Sequence, residues 1–160
     1  MSLNIDLKIW KRGSQKAPHK PLLLLYAIGR WINGQRVFSW LEVQERVSLL
    51  IEQFGGNAKP DARNPFVRLT KDLGGRLWQI EGELVLGPSG NPSVRALNKT
   101  NNKARFHPYF EAILLNEEKL YKIVNQLLVD HFSETQFEDI LDACGLSTSK
   151  ASFFKGDNKA

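Results

Sequence analysis

The 160 residues carry 42% hydrophobic and 24% charged side chains, enough apolar material for one domain with a buried core. No apolar run is long enough to cross a bilayer and no secretory h-region opens the chain, while the single cysteine, Cys144, excludes an internal disulfide and a cysteine-rich zinc site; together these favour a cytoplasmic protein. The net charge of +5 is uneven, with 17 Lys/Arg against 8 Asp/Glu in residues 1–110 and 5 against 9 in residues 111–160, so a polyanion partner is expected for the first two thirds.

A basic, proline-stiffened turn, Lys16-Ala17-Pro18-His19-Lys20-Pro21, runs into an apolar helix over about Pro18 to Ile32. Pro21 suits the first helical position, where its missing N–H costs nothing. The first-turn N–H groups attract anions and Lys20 adds a full charge beside them. Asn33-Gly34 ends the helix, with Gly34 as a left-handed cap. Arg36 to Ser39 reads as a short strand. Ser39 and Glu42 fit a capping box opening a second helix from about Leu41 to Phe54, whose core face is Val43, Val47, Leu50, Ile51 and Phe54. Gly55-Gly56 stops it.

Residues 55–65 read as a polar loop ending at Asn64-Pro65, with Asn64 forced into an extended conformation by the proline. Phe66 to Thr70 and Leu77 to Ile80 alternate apolar and polar, and Asp72-Leu73-Gly74-Gly75-Arg76 supplies a hairpin turn between them; Glu83 to Leu86 is a further short strand. Residues 87–105 hold four basic side chains and no acid, and Ser93 can cap a short helix there. Phe106 to Leu115 reads as a helix with Pro108 near its start. Glu117 to His131 is an amphipathic helix with Leu120, Ile123, Val124, Leu127 and Leu128 inward. Ser133 caps a last helix with Phe137, Ile140, Leu141 and Ala143 inward, closed by Gly145. Cys144 reads as a core thiol. The predicted fold is α+β and predominantly helical: a winged-helix-like core with a small antiparallel sheet, followed by C-terminal helices. Residues 1–146 form the domain, and residues 147–160 read as a linker or tail.

Three segments carry candidate chemistry. His19 and Lys20 stand at a helix start suited to a phosphate. Arg63-Asn64-Pro65-Phe66-Val67-Arg68 sets an apolar ring between two arginines, an arrangement suited to an anion bearing a soft, poorly hydrated atom; Phe66 by itself also fits an inward, packing role. The loop Ser89-Gly90-Asn91-Pro92-Ser93-Val94-Arg95 offers hydroxyl, amide and backbone donors for phosphates, with Asn91 or Arg95 able to reach base edges and Lys99 beyond it. The three histidines are too widely spaced for a metal signature, and no Ser-His-Asp, Walker or Rossmann pattern is present, so no cofactor, metal or catalytic residue is expected. His107 before Pro108 reads as structural.

Taken in order, Ala17-Pro18-His19-Lys20-Pro21-Leu22-Leu23-Leu24-Leu25, Phe54-Gly55, Asn64-Pro65-Phe66-Val67-Arg68-Leu69, Leu77-Trp78, His131-Phe132-Ser133-Glu134-Thr135 and Ile140-Leu141-Asp142-Ala143-Cys144-Gly145-Leu146 resemble the sulfur-binding domain of McrA-type, phosphorothioate-dependent restriction endonucleases, over about residues 8–146. The resemblance implies a module that binds double-stranded DNA in which sulfur replaces a non-bridging phosphate oxygen and that performs no chemistry itself. In that family an HNH nuclease domain follows shortly after the Gly-Leu end, so residues 147–160 would lead toward such a module. His19, Lys20, Pro65 and Phe66 take the family's pocket positions, and Asn64 stands where the family usually has tyrosine. The segment 89–95 resembles the family's DNA-contacting loop.

The chemistry is coherent. Oxygen pressed against Pro65 would lose its water without gaining a donor, at a cost of ~1–3 kcal/mol. Sulfur is softer, and burying ~40 Å² of it contributes about 1 kcal/mol. Discrimination of roughly tenfold to a thousandfold follows from one atom. Lys20, Arg63, Arg68, Arg95 and Lys99 would supply the sequence-blind, salt-sensitive part of affinity. The competing expectation is a general winged-helix DNA-binding regulator with base preference and no sulfur preference.

Overall fold

The computed structural model describes residues 11–12, 15–87, 90 and 92–146. A short antiparallel pair, β1 (Lys11–Arg12) and β2 (Gln15–Lys16), precedes the central helix α1 (His19–Ile32). Eleven of its fourteen residues are buried, which suits a helix apolar on nearly every side. It packs against α2 (Trp40–Phe54), α3 (Arg63–Arg68) and α6 (Glu117–His131). Asn33 and then Gly34, at φ +101°, end it as expected.

The sheet has three antiparallel strands in the order β3 (Phe38–Ser39), β5 (Lys103–Phe106), β4 (Trp78–Ile80). Phe38 pairs with Ala104 and Trp78 with Phe106, so the apolar side chains of all three strands meet on one face. Phe38, Trp78 and Phe106 form a ring cluster with centroids 5.3–6.2 Å apart. The short helices α4 (Val94–Thr100), α5 (Pro108–Leu114) and α7 (Phe137–Ala143) complete the order. The chain is thus α+β and predominantly helical, with a small antiparallel sheet and C-terminal helices.

The predicted strand at 66–70 is a correction. Arg63–Arg68 is helical, with Phe66 N–H donating to the Ala62 carbonyl at 3.0 Å. Asn64 is therefore helical rather than extended, and Pro65 lies in the first turn, where a missing N–H is tolerated. The side chains driven inward are Phe66 and Leu69, three apart, a helical spacing that the shorter alternation concealed. The predicted hairpin turn is instead a 3₁₀ stretch, Leu69–Gly75, broken at Asp72–Gly74. The antiparallel pair that the hairpin would have supplied is made by β4 and β5, across α4.

Smaller differences remain, and those in the strands share one cause: local pattern does not mark where a partner strand begins. The strand predicted at Arg36–Ser39 shrinks to Phe38–Ser39, and Glu83–Leu86 contributes a single bridge, Leu86 to Pro92. Phe106 belongs to β5 rather than to α5. Pro21 occupies the third helical position, not the first. Ala143 is exposed. Ser39 caps α2 as predicted, but the Glu42 carboxylate accepts from Tyr26 and Gln35.

Gly29 marks the closest approach in the core. A Cβ at this position would lie 1.9 Å from the Cys144 carbonyl oxygen. Cys144 is buried, and burial pushes its thiol pKa up to about 12. Among the described residues no helix is long and apolar enough to cross a membrane, and no group of three His, Cys, Asp or Glu could hold a metal ion.

Candidate nucleic-acid interface

The start of α1 has no side-chain cap and no acidic residue in its first turn. Pro18 occupies the cap position, and the Leu22 N–H donates to its carbonyl at 3.0 Å. His19 is half-buried; its Nε2 lies 2.9 Å from the Lys59 carbonyl. A carbonyl can only accept, so Nε2 carries the hydrogen. Below this turn an open cleft of about 940 Å³ is lined by Pro18, His19, Phe54, Lys59, His131 and Phe132, among others.

Lys20 points inward. Its ammonium lies 2.8 Å from the Asp72 carboxylate, which has no exposed surface, and 11% of the Lys20 side chain is exposed. The pair joins α1 to the kinked 3₁₀ stretch after α3, 52 residues away. Asp72 was not among the expected functional residues. In sequence, Asp-Leu-Gly-Gly reads as a turn, and no local signal shows a carboxylate entering the core.

The segment Arg63–Arg68 packs beside α1. Asn64 and Arg68 are exposed, and Pro65 is buried. Arg63 is half-buried, 3.3 Å from the Asp61 carboxylate, and its own N–H donates to Asp61 at 2.9 Å. Phe66 is wholly buried, edge-on to Trp40 at 5.2 Å and to Trp78 at 6.2 Å, while its carbonyl accepts from Trp78 Nε1 at 2.9 Å. Of the two roles its sequence allowed, it has the inward one: it anchors α3.

The third segment lies next to the second through one residue. Trp40 meets Phe66 on α3, and its Nε1–H donates 2.7 Å to Asn98 on α4. The loop before α4 is pinned by Gly90 N–H to the Gly87 carbonyl and Ser93 N–H to the Val85 carbonyl, both 2.9 Å. Ser93 caps α4, accepting from Ala96 N–H. Gly90, Arg95 and Lys99 are exposed, and the two cations, four residues apart, share a helix face. Ser89 and Asn91 lie outside the described residues. His107 accepts from Tyr109 N–H as the cap of α5, the structural role expected of it.

The tertiary structure thus packs α1, which carries His19 and Lys20, against α3, which carries Asn64, Pro65 and Arg68, and Trp40 of α2 links α3 to α4, which carries Arg95 and Lys99. Two of the five cations expected to meet phosphate, Lys20 and Arg63, are held by carboxylates of the same fold.

Comparison with known proteins gives a consistent result. A family model described as ScoMcrA-like, DNA sulfur-binding domain, matches residues 3–149. The sulfur-binding domain of ScoMcrA complexed with phosphorothioated DNA superposes with a TM-score of 0.78 at 25% identity, covering 89% of this chain and 92% of that one. The Type IV phosphorothioation-dependent restriction endonuclease ScoMcrA matches with a TM-score of 0.72 at 26% identity, over 81% of this chain and 29% of its own. The sulfur-binding domain of SprMcrA complexed with phosphorothioated DNA shares the fold, with a TM-score of 0.72 at 21% identity and 89% of each chain covered. No curated protein matches the sequence.

Proposed function

The chain belongs to the ScoMcrA-like DNA sulfur-binding domain family, and from that premise we propose that it binds double-stranded DNA carrying a phosphorothioate and performs no chemistry itself. The observation that carries the reading is the family match over residues 3–149, which contains the whole described fold. The position of the motifs supports it: the His19-Lys20-Pro21 turn and Asn64-Pro65 stand on elements packed against each other.

In this reading the sulfur meets the seam between α1 and α3. Pro65 and the aliphatic part of Asn64 give it apolar contact, with Lys20 as a neighbouring donor and His19, whose Nε2–H is held by the Lys59 carbonyl, beside it. Pro65 is buried, so this reading requires the DNA to reach or uncover a notch at its ring, where ~40 Å² of soft surface suffices for about 1 kcal/mol. A phosphate oxygen in the same notch loses water and gains little. Arg68, Arg95 and Lys99, on the exposed sides of α3 and α4, contribute sequence-blind attraction to neighbouring phosphates. Gly90, Ser93 and the loop that includes Ser89 and Asn91 adjoin the DNA. In a longer protein such a module directs a nuclease domain to modified DNA, the arrangement we propose for residues 1–146 and the segment after them.

The test is a titration of two duplexes identical except for one sulfur, at matched salt. The sulfur duplex should bind roughly ten to a thousand times more tightly. Equal affinities would overturn the proposal.

A further inference from the structure

We infer that Asp72 is a specificity-determining residue of this site: by pairing with Lys20 inside the fold it balances the ammonium charge, so that the site selects a backbone group for its soft atom rather than for its charge. The inference rests on the function proposed above.

The Asp72 carboxylate is wholly buried and 2.8 Å from Lys20 Nζ. Lys20 is the second residue of α1, where the helix dipole is already positive, and a cation held there needs a compensating anion. Asp72 supplies it from a different element. The chain takes an unusual path to do so: Asp72 is extended (ψ 155°), then Leu73 (φ +54°) and Gly74 (φ +63°) are both left-handed. A non-glycine residue in that region is uncommon and costs conformational energy. The kink turns the carboxylate inward where a plain turn would leave it in solvent.

A modified and an ordinary backbone linkage each carry one negative charge. An unbalanced ammonium attracts both, but it makes the stronger charge-assisted hydrogen bond with oxygen, the better acceptor, so it raises the affinity for the ordinary linkage more and narrows the ratio. A balanced one still offers an N–H donor but adds little net charge. What then separates the two linkages is dehydration and apolar contact, which favour sulfur. Arg63, the first residue of α3, held by Asp61 just before the helix, is restrained in the same sense.

Asp72→Asn is the direct test, because the amide keeps the shape and still accepts from Lys20. Sulfur and oxygen duplexes are titrated against wild type and variant over a range of salt. The variant should bind the oxygen duplex more tightly than wild type does, and its sulfur-to-oxygen ratio should fall at least about threefold. Its log Kd against log salt should steepen by about 0.9, one further phosphate neutralised. The double variant Lys20→Met/Asp72→Asn removes both charges together and is the form that tolerates the loss of the pair. It should bind both duplexes less tightly, for want of the donor, with the wild-type salt slope. A wild type that prefers sulfur, with an Asp72→Asn ratio and slope unchanged, overturns the inference and leaves the proposed function standing. So does a double variant whose slope falls by about 0.9, since Lys20 would then be acting as an unbalanced cation. A wild type without sulfur preference overturns the proposed function itself.

Discussion

Replacing Lys20 with methionine removes the ammonium that lies 2.8 Å from the buried Asp72 carboxylate, and the expected loss of stability is about 3–5 kcal/mol by urea unfolding. Removing both charges together, as in Lys20→Met/Asp72→Asn, should recover most of that loss; a double variant no more stable than the single would mean that the ion pair does not govern the site's stability. Pro65 and Phe66, adjacent in sequence, divide the work differently. Phe66 is clamped between two tryptophans, so changing it should unfold α3. Pro65→Gly should act mainly on recognition, narrowing the sulfur-to-oxygen ratio more than it weakens total binding in paired titrations. Arg95 is exposed and four residues from Lys99, and Arg95→Ala should weaken both duplexes about equally and lower the salt slope by about 0.9. A selective loss for one duplex would place Arg95 at the modified linkage instead.

Helix α1 is the element on which the others are assembled, and Gly29 is the point where it can accept nothing larger. The Cys144 carbonyl occupies the space that a Cβ would need, and backbone cannot yield as a flexible side chain can. Gly29→Ala should therefore destabilise the protein by about 3 kcal/mol or more, against the usual gain of up to ~1 kcal/mol for alanine in a helix interior. Thermal unfolding checks the sign: a variant more stable than wild type would show that α7 is free to move away. At the start of α2, Ser39 accepts the Glu42 N–H, and Ser39→Ala should cost about 1 kcal/mol in the same measurement. Glu42 adds less to that cap than a reciprocal box would, because its carboxylate is engaged by Tyr26 and Gln35. Element α3 shows how a period can mislead. Phe66 to Thr70 alternates over too few residues to separate a strand from one helical turn. The packing of Phe66 and Leu69 against α1 and the sheet decides it.

For the whole molecule, two acids hold their protons more tightly when folded. Burial pushes Cys144 up to about 12, and burial together with the Glu42 hydrogen bond and charge raises the Tyr26 phenol well above its ordinary range. Both contributions are complete below the unfolded pKa values, near 8.5 for Cys and about 10 for Tyr, and are lost as pH rises. Denaturation series between pH 8 and pH 11 should therefore show stability falling, with a slope approaching about 1.4 kcal/mol per pH unit for each group released; a flat profile would contradict the burial of both. Composition, charge asymmetry and long apolar periods were enough to determine the helical class, the extent of α1, α2 and α6, and the inward faces of α2 and α6, while the ordered motifs carried the resemblance to the family. Those properties are local: helical spacing, caps and an ordered set of short motifs are all written within a few residues of one another. Tertiary structure alone decided that residues 63–68 are helical, that β4 finds its partner beyond α4, and that Lys20 lies against Asp72 from 52 residues away. Each of these depends on which surfaces meet once the apolar faces are buried, a long-range outcome that no short stretch of sequence encodes.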